Sequence, residues 1–372
     1  MGRREDVAKL NEITLWDLRA GLLKASWFVA PLMVVLVDTL KYGLGAVPNW
    51  HSTQQIAQHY TNVSSVQTPH YGNTFLINSP SVWLLAGVTH LTSDRGFMGL
   101  CLVILVGTIF GIYRLKRVRQ NAMVGAAVTV MLLGGAVGSD LFTWLGMYDP
   151  VSILGASMGV LGGSKWTRGL GWGLFAFTNP PQAGLGLILY AVVMIARSKW
   201  RGVIAAGAGA VSGVIVNFVL MSAYGISFFG RVGFRAGLSS TSLLASLIHL
   251  WWLIGFGCVG AGWLIVLSPG FLKRRDTRAF ILAVLVGVVI VSMLGADQVR
   301  VMGLVVWAGA LELLAGGFEE IDEAESTQAI GYAMVGALLV PAITIWSNAA
   351  VYPGIEGTKA ILSFVLTGHP YL

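Results

Sequence analysis

Two apolar runs, 279–296 and 301–318, are separated only by Asp297-Gln298-Val299-Arg300. A helix needs about 20 predominantly apolar residues to cross the hydrocarbon core of a bilayer, and each run approaches that length. Charges placed between two such runs are costly unless they pair or serve a purpose. Apolar runs of this kind recur along the chain, which is 55% hydrophobic and 11% charged, against about 25% charged in a soluble domain. One soluble core cannot enclose that excess. The 48 glycines fit the same environment, where small residues let helix backbones approach closely.

The basic residues set an orientation. Arg3, Arg4, Lys9, Arg19 and Lys24 precede a first span at 27–46, and the positive-inside rule then puts the N-terminus in the cytoplasm. Leu15, Leu18, Leu22 and Leu23 recur at helical spacing, so 1–26 reads as an amphipathic helix on the membrane surface. The loop 47–80 holds no Lys, Arg, Asp or Glu but contains His51, His59 and His70, and is placed outside. Residues 81–91 are too short for a span and read as an interfacial helix. Basic clusters at 114–119, 165–168, 197–201 and 273–278 mark inner loops, and the acidic stretch 319–325 joins them. The expected fold is an all-α, polytopic integral membrane protein with about ten or eleven transmembrane helices. Its transmembrane domain spans 27–347, and 348–372 form an outer-side tail. Asn179-Pro180-Pro181 should break a helix, because neither proline supplies a backbone donor.

Composition also excludes. The net charge of +7 comes from these inter-span clusters, so nucleic acid is not an expected partner. Cys101 and Cys258 both lie in apolar runs, without metal-ligand spacing or a disulfide framework. No zincin helix, phosphate-binding glycine loop or nucleophile elbow occurs, and neither a metal nor a cofactor is expected.

On this tracing Asp38, Asp140, Asp149, Arg231, Arg235, Asp297 and Arg300 fall at outer span ends or in outer loops, together with His51. Carboxylates able to take a proton therefore share one side with arginines able to clamp phosphate. Plainer roles stay open for each. Asp297 with Arg300, and Asp38 with Lys41, have the spacing of local ion pairs. Asp149 before Pro150 suits a helix start, and the arginines can meet lipid headgroups. Glu312, inside a span, is either a functional ionisable group or paired near the inner surface.

Two resemblances bear on function. Val35-Leu-Val-Asp38-Thr-Leu-Lys41-Tyr42 resembles the first-span motif of lipoprotein signal peptidases, echoed by Gly134–Asp140 and Phe177-Thr-Asn179-Pro-Pro. Pro181 and Gln182 stand where that family has its second aspartate, and an acid pair is required to share the proton. Trp144-Leu-Gly-Met-Tyr-Asp149-Pro, Pro180-Pro-Gln182 and Asp297-Gln-Val-Arg300 resemble segments of bacterial C-type, polyprenyl-phosphate-sugar-dependent membrane glycosyltransferases. That resemblance implies a plasma-membrane protein acting at the outer face on a lipid-linked sugar and a glycan acceptor. The family's base sits in the first outer loop; here that loop has no acid, so Asp38 takes the role. On that resemblance Asp140 or Asp149 is expected to orient the acceptor, while Arg231, Arg235, Asp297, Arg300, His51 and Gln182 are expected to hold substrate. Two other readings remain open. One is a transporter or channel subunit, with the break at Asn179–Pro181 beside its substrate and Glu312 or Asp38 coupling protons. The other is a non-catalytic subunit that docks through the N-terminal helix or the 319–325 loop.

Overall fold

The computed structural model describes residues 27–45, 49–66, 76–228, 240–294, 298–339, 344–346, 349–351 and 355–368. The amphipathic segment 1–26, Arg231, Arg235 and Asp297 lie outside them. In chain order the helices are α1 (27–41), α2 (Asn49–Gln58), α3 (Ser81–Val88), α4 (Asp94–Arg114), α5 (Lys116–Gln120), α6 (Ala122–Gly134) and α7 (Ala136–Thr143). There follow α8 (Asp149–Leu161), α9 (Lys165–Thr178), α10 (Pro180–Ala196), α11 (Trp200–Ala223), α12 (Ser240–Val259), α13 (Trp263–Val266) and α14 (Pro269–Leu272). The last are α15 (Arg275–Leu294), α16 (Gln298–Gly317), α17 (Glu323–Leu339) and α18 (Ile355–Thr367). A short antiparallel hairpin, β1 (Thr344–Trp346) with β2 (Ala349–Val351), adds strand to a chain expected to be wholly helical, with Ile345 opposite Ala350.

Helix starts follow local chemistry. The Ser93 hydroxyl accepts from Gly96 N–H at the head of α4, which carries Asp94 in its first turn and Arg114 in its last. Asn121 caps α6 through Met123 and Val124, and Ser164 caps α9 through Thr167. That cap starts α9 four residues before the expected piece at 169–177. Helix α3 stops at Val88 rather than 91, with His90 in the left-handed region at φ 58°.

Among the described residues α4, α11 and α16 are long and apolar enough to cross a membrane, and α6 with α7 makes a fourth candidate bent by 60°. That bend corrects the expectation of one continuous span over 122–147. Gly135 is extended between the two halves, and a Cβ there would lie 2.7 Å from the Met131 carbonyl. Gly260, at φ +57°, seats the chain against the break; a Cβ on it would lie 1.6 Å from the Gly134 carbonyl oxygen. Only glycine satisfies both demands.

Helix α16 is the axis of the molecule. Every one of its residues is buried, and α7, α8, α10, α12 and α15 pack around it. Helix α11 is the opposite case, exposing Ile204, Val211, Ile215, Phe218 and Val219 along its outer face. An apolar face of this extent suits lipid rather than water.

Glycines set the closest approaches. Cβ atoms on Gly209 and Gly213 of α11 would lie 2.4 and 2.1 Å from the carbonyl oxygens of Gly169 and Gly173 on α9. One step further the Asn217 side chain donates to the Phe177 carbonyl at 2.6 Å. The pairs 169/209, 173/213 and 177/217 keep one register, so α9 and α11 run parallel along a small-xxx-small stripe. On its other side α9 rests on Gly155 and Gly159 of α8.

Candidate functional site

Ionisable side chains gather at both ends of α16. At its N-terminal end Arg300 donates to Asp149 Oδ2 at 2.6 Å, across 151 residues of sequence. The carboxylate is 0% exposed, and it sits in the first turn of α8 beside Pro150. The Arg300 guanidinium lies 4.1 Å from the centroid of Trp144 and 5.6 Å from that of Tyr148. Those distances are within cation–π range. The Gln298 amide is buried with no hydrogen-bond partner on either atom. Arg300 is thus joined to a distant helix, which is more than the local pair with Asp297 that its spacing allows.

At the other end Glu312 is held between two arginines, Arg117 at 2.7 Å and Arg197 at 2.8 Å. Arg117 also reaches Glu319, and Arg197 reaches Glu320 at 3.1 Å and faces Asp276 at 3.6 Å. Arg274 closes the net by pairing with Asp276 and Glu320, each at 2.7 Å. Burial alone would push the guanidinium of Arg117 down, but Glu312 and Glu319 outweigh it and hold it above its ordinary value. Arg274 is shifted upward in the same way by Asp276 and Glu320 against its own burial. Glu312 is thus paired, the plainer of its two expected roles, and its partners lie on separate segments.

A third arrangement lies at the α6–α7 break. The Lys41 ammonium donates to the carbonyls of Leu133 at 2.6 Å and Ala337 at 2.5 Å. Tyr42 donates its hydroxyl to the same Leu133 oxygen at 2.6 Å. The break frees that carbonyl from the helix ladder, and a cation is the natural partner for the negative end of a helix. Asp38, one turn earlier on α1, is 0% exposed, and neither carboxylate oxygen has a hydrogen-bond partner. The Lys41 ammonium makes its hydrogen bonds to the two carbonyls and none to Asp38, while staying close enough for the two charges to act on each other. Asp140 is buried on α7, and Tyr42 feels the fields of both Asp38 and Asp140.

The remaining expected residues are scattered. His51 is exposed on α2, its ring 3.7 Å from that of Trp50. Gln182 is buried beside Asn179, whose amide donates to it across the expected break. Ser157, a buried hydroxyl on α8, accepts from Trp307 Nε1 at 2.8 Å and donates to the Ile153 carbonyl at 2.7 Å. Those two bonds make it a packing hydroxyl joining α8 to α16. No group of three or more His, Cys, Asp or Glu side chains suited to a metal ion occurs among the described residues.

Sequence reading missed two features. The breadth of the arginine–carboxylate net was one, although all its members except Glu312 lie in segments that the charge rule groups together. The other is Asn217, an amide inside the apolar run 202–223; its intervals of four from Gly209 and Gly213 were the available signal. No known family model matches the chain, and neither does any characterised protein or solved structure.

Proposed function

We propose that the protein is a multi-pass α-helical membrane protein of the ion-coupled transport class, with Asp38 as its proton-exchanging group. The observation that carries this reading is the broken helix at Gly135. An ammonium is bound to its freed carbonyl, and a carboxyl lacking any donor lies one turn away. Discontinuous helices with ionisable side chains at membrane depth are how transporters bind coupling ions. Asp38 exchanges a proton; Lys41 is a tethered cation on the α6 terminus whose hold on Leu133 and Ala337 changes with the charge of Asp38. The clusters on α16 tie the helix to its neighbours at two levels. Arg300 and Glu312 are twelve positions apart, or about 18 Å at 1.5 Å per residue. The N-terminus is cytoplasmic in this reading, and the arginine–carboxylate net lies on the inner side.

Solid-supported-membrane electrophysiology on reconstituted protein tests it, using pools of amino acids, sugars and organic cations under an imposed pH gradient. At least one pool should give transient currents that Asp38→Asn reduces about tenfold, a loss of about 1.4 kcal/mol of coupling. Currents that persist unchanged in Asp38→Asn, or are absent from every pool, defeat the assignment.

Outer-face lipid-linked glycosyl transfer is the second reading, and one observation favours it. Arg300, seated between Trp144 and Asp149, is a buried guanidinium of the kind that pairs with phosphate as well as with carboxylate. Transfer of labelled sugar from a polyprenyl phosphate, abolished in Arg300→Lys with the protein still folded, would establish it instead.

A further inference from the structure

The Asn179 break gathers a second set of polar atoms that the transport reading does not use. Asn78 and Ser79 precede α3, Thr178 ends α9, and Asn217 lies on α11. All are at most 3% exposed. Asn217 ties them together, since its amide nitrogen donates to the Asn78 carbonyl at 3.2 Å and to the Phe177 carbonyl at 2.6 Å. Those two bonds use both amide hydrogens and fix which way the group faces, so its oxygen is left as an acceptor. The Asn78 amide nitrogen gives one of its hydrogens to the Ser227 carbonyl at 3.5 Å. Four oxygens remain without a hydrogen-bond partner: Asn78 Oδ1, Ser79 Oγ, Thr178 Oγ1 and Asn217 Oδ1.

Buried polar atoms are seldom left unmet, and several in one place call for a common partner. Both Asn217 amide hydrogens are spent, so the two amide oxygens act only as acceptors, and the Ser79 and Thr178 hydroxyls can turn their lone pairs with them toward a shared positive partner. The backbone adds to the selection. Pro180 and Pro181 have no N–H to offer the last carbonyls of α9, so its terminus keeps its partial negative charge. None of the four side chains is a carboxylate, whereas calcium sites draw on Asp and Glu. Neutral oxygens at an unwound helix end are the coordination that a dehydrated monovalent cation takes.

We infer that Asn78, Ser79, Thr178 and Asn217 form a binding site for a monovalent metal cation, sodium or potassium, at the Asn179 break. Binding of the ion does not depend on Asp38 or on any transport activity, so the two assignments stand or fall separately. The register of α9 and α11 builds the site, because the stripe that brings Gly213 onto Gly173 carries Asn217 to Phe177 one step later.

The full chain, purified in mild detergent, is heated in sodium, potassium or choline chloride at equal ionic strength, with intrinsic tryptophan fluorescence as the readout. Sodium or potassium should raise the unfolding midpoint over choline in a saturable manner. Thr178→Val keeps the side-chain shape while deleting one oxygen, and should raise the half-saturating concentration about tenfold, as expected for a loss near 1.4 kcal/mol. Equal midpoints in all three salts overturn the site and assign the oxygens to buried water. So does a cation effect that Thr178→Val leaves unchanged. The wild-type salt series is decisive by itself if the variant fails to fold.

Discussion

Replacing Gly316 with alanine sets two opposed effects against each other within one turn of the central helix. Alanine is favoured over glycine inside a helix by about 1 kcal/mol. The new Cβ, however, would lie 1.5 Å from Arg197 Nη1 and 2.1 Å from its Cζ. Ordinary carbon contact needs about 3.5 Å, so the guanidinium must retreat by about 2 Å. An exposed arginine would simply swing away. Arg197 is only 4% exposed, and its side chain is committed to Glu312 at 2.8 Å and Glu320 at 3.1 Å. Breaking a buried ion pair costs about 3–5 kcal/mol. Arg117 still holds Glu312 at 2.7 Å, so the cost falls below that range, to about 2–3 kcal/mol. Gly316→Ala should therefore destabilise by about 1–2 kcal/mol net of the propensity gain. The assay is unfolding of the detergent-purified chain, measured also for Glu312→Gln and the double variant. Both changes act on the same guanidinium, so the double variant should lose less than the two single losses combined. A Gly316→Ala protein as stable as the wild type, or strictly additive losses, would refute the placement of Arg197.

Three further outcomes follow from the same contacts. Gly213→Ala puts a Cβ 2.1 Å from a backbone oxygen that cannot yield, so α9 and α11 must separate; the expected loss is about 1–3 kcal/mol, read as a lower unfolding midpoint. Gly260→Ala combines a positive φ with a 1.6 Å approach to the Gly134 oxygen, and its expression as a monodisperse particle should fall sharply in size-exclusion chromatography. Asp149→Asn leaves Arg300 buried at 4% side-chain exposure without its carboxylate, at a cost of about 3 kcal/mol. Arg300→Lys should cost less, because it keeps the charge while giving up the flat contact with Trp144; equal losses in the two variants, measured by thermal unfolding, would contradict that ranking.

The sequence exposes the parts of this structure that depend on local patterning. Apolar run length locates α4, α11 and α16, and Pro180-Pro181 marks the interruption between α9 and α10. The same patterning conceals contacts between distant segments. Arg300 has the spacing of a partner for Asp297, and the partner found for it among the described residues, Asp149, belongs to another helix. Lys41 has the spacing of a partner for Asp38, but it binds the Leu133 carbonyl, which the break of α6 at Gly135 leaves as an acceptor, and the Ala337 carbonyl near the end of α17. That break was hidden since Gly134-Gly135 resembles any other small pair in a glycine-rich chain. The stripe between α9 and α11 was legible only as two separate series of intervals of four, because parallel pairing joins segments forty residues apart.

The burial of α16 also bears on how the chain is made. Arg300 and Glu312 are the residues of that helix that lipid would tolerate least. Their direct partners Asp149, Arg117 and Arg197 all precede the helix in sequence. Ribosomal synthesis therefore delivers the complementary charges before the helix that needs them. A truncation ending before α16 would leave those three waiting charges without the helix they are arranged around.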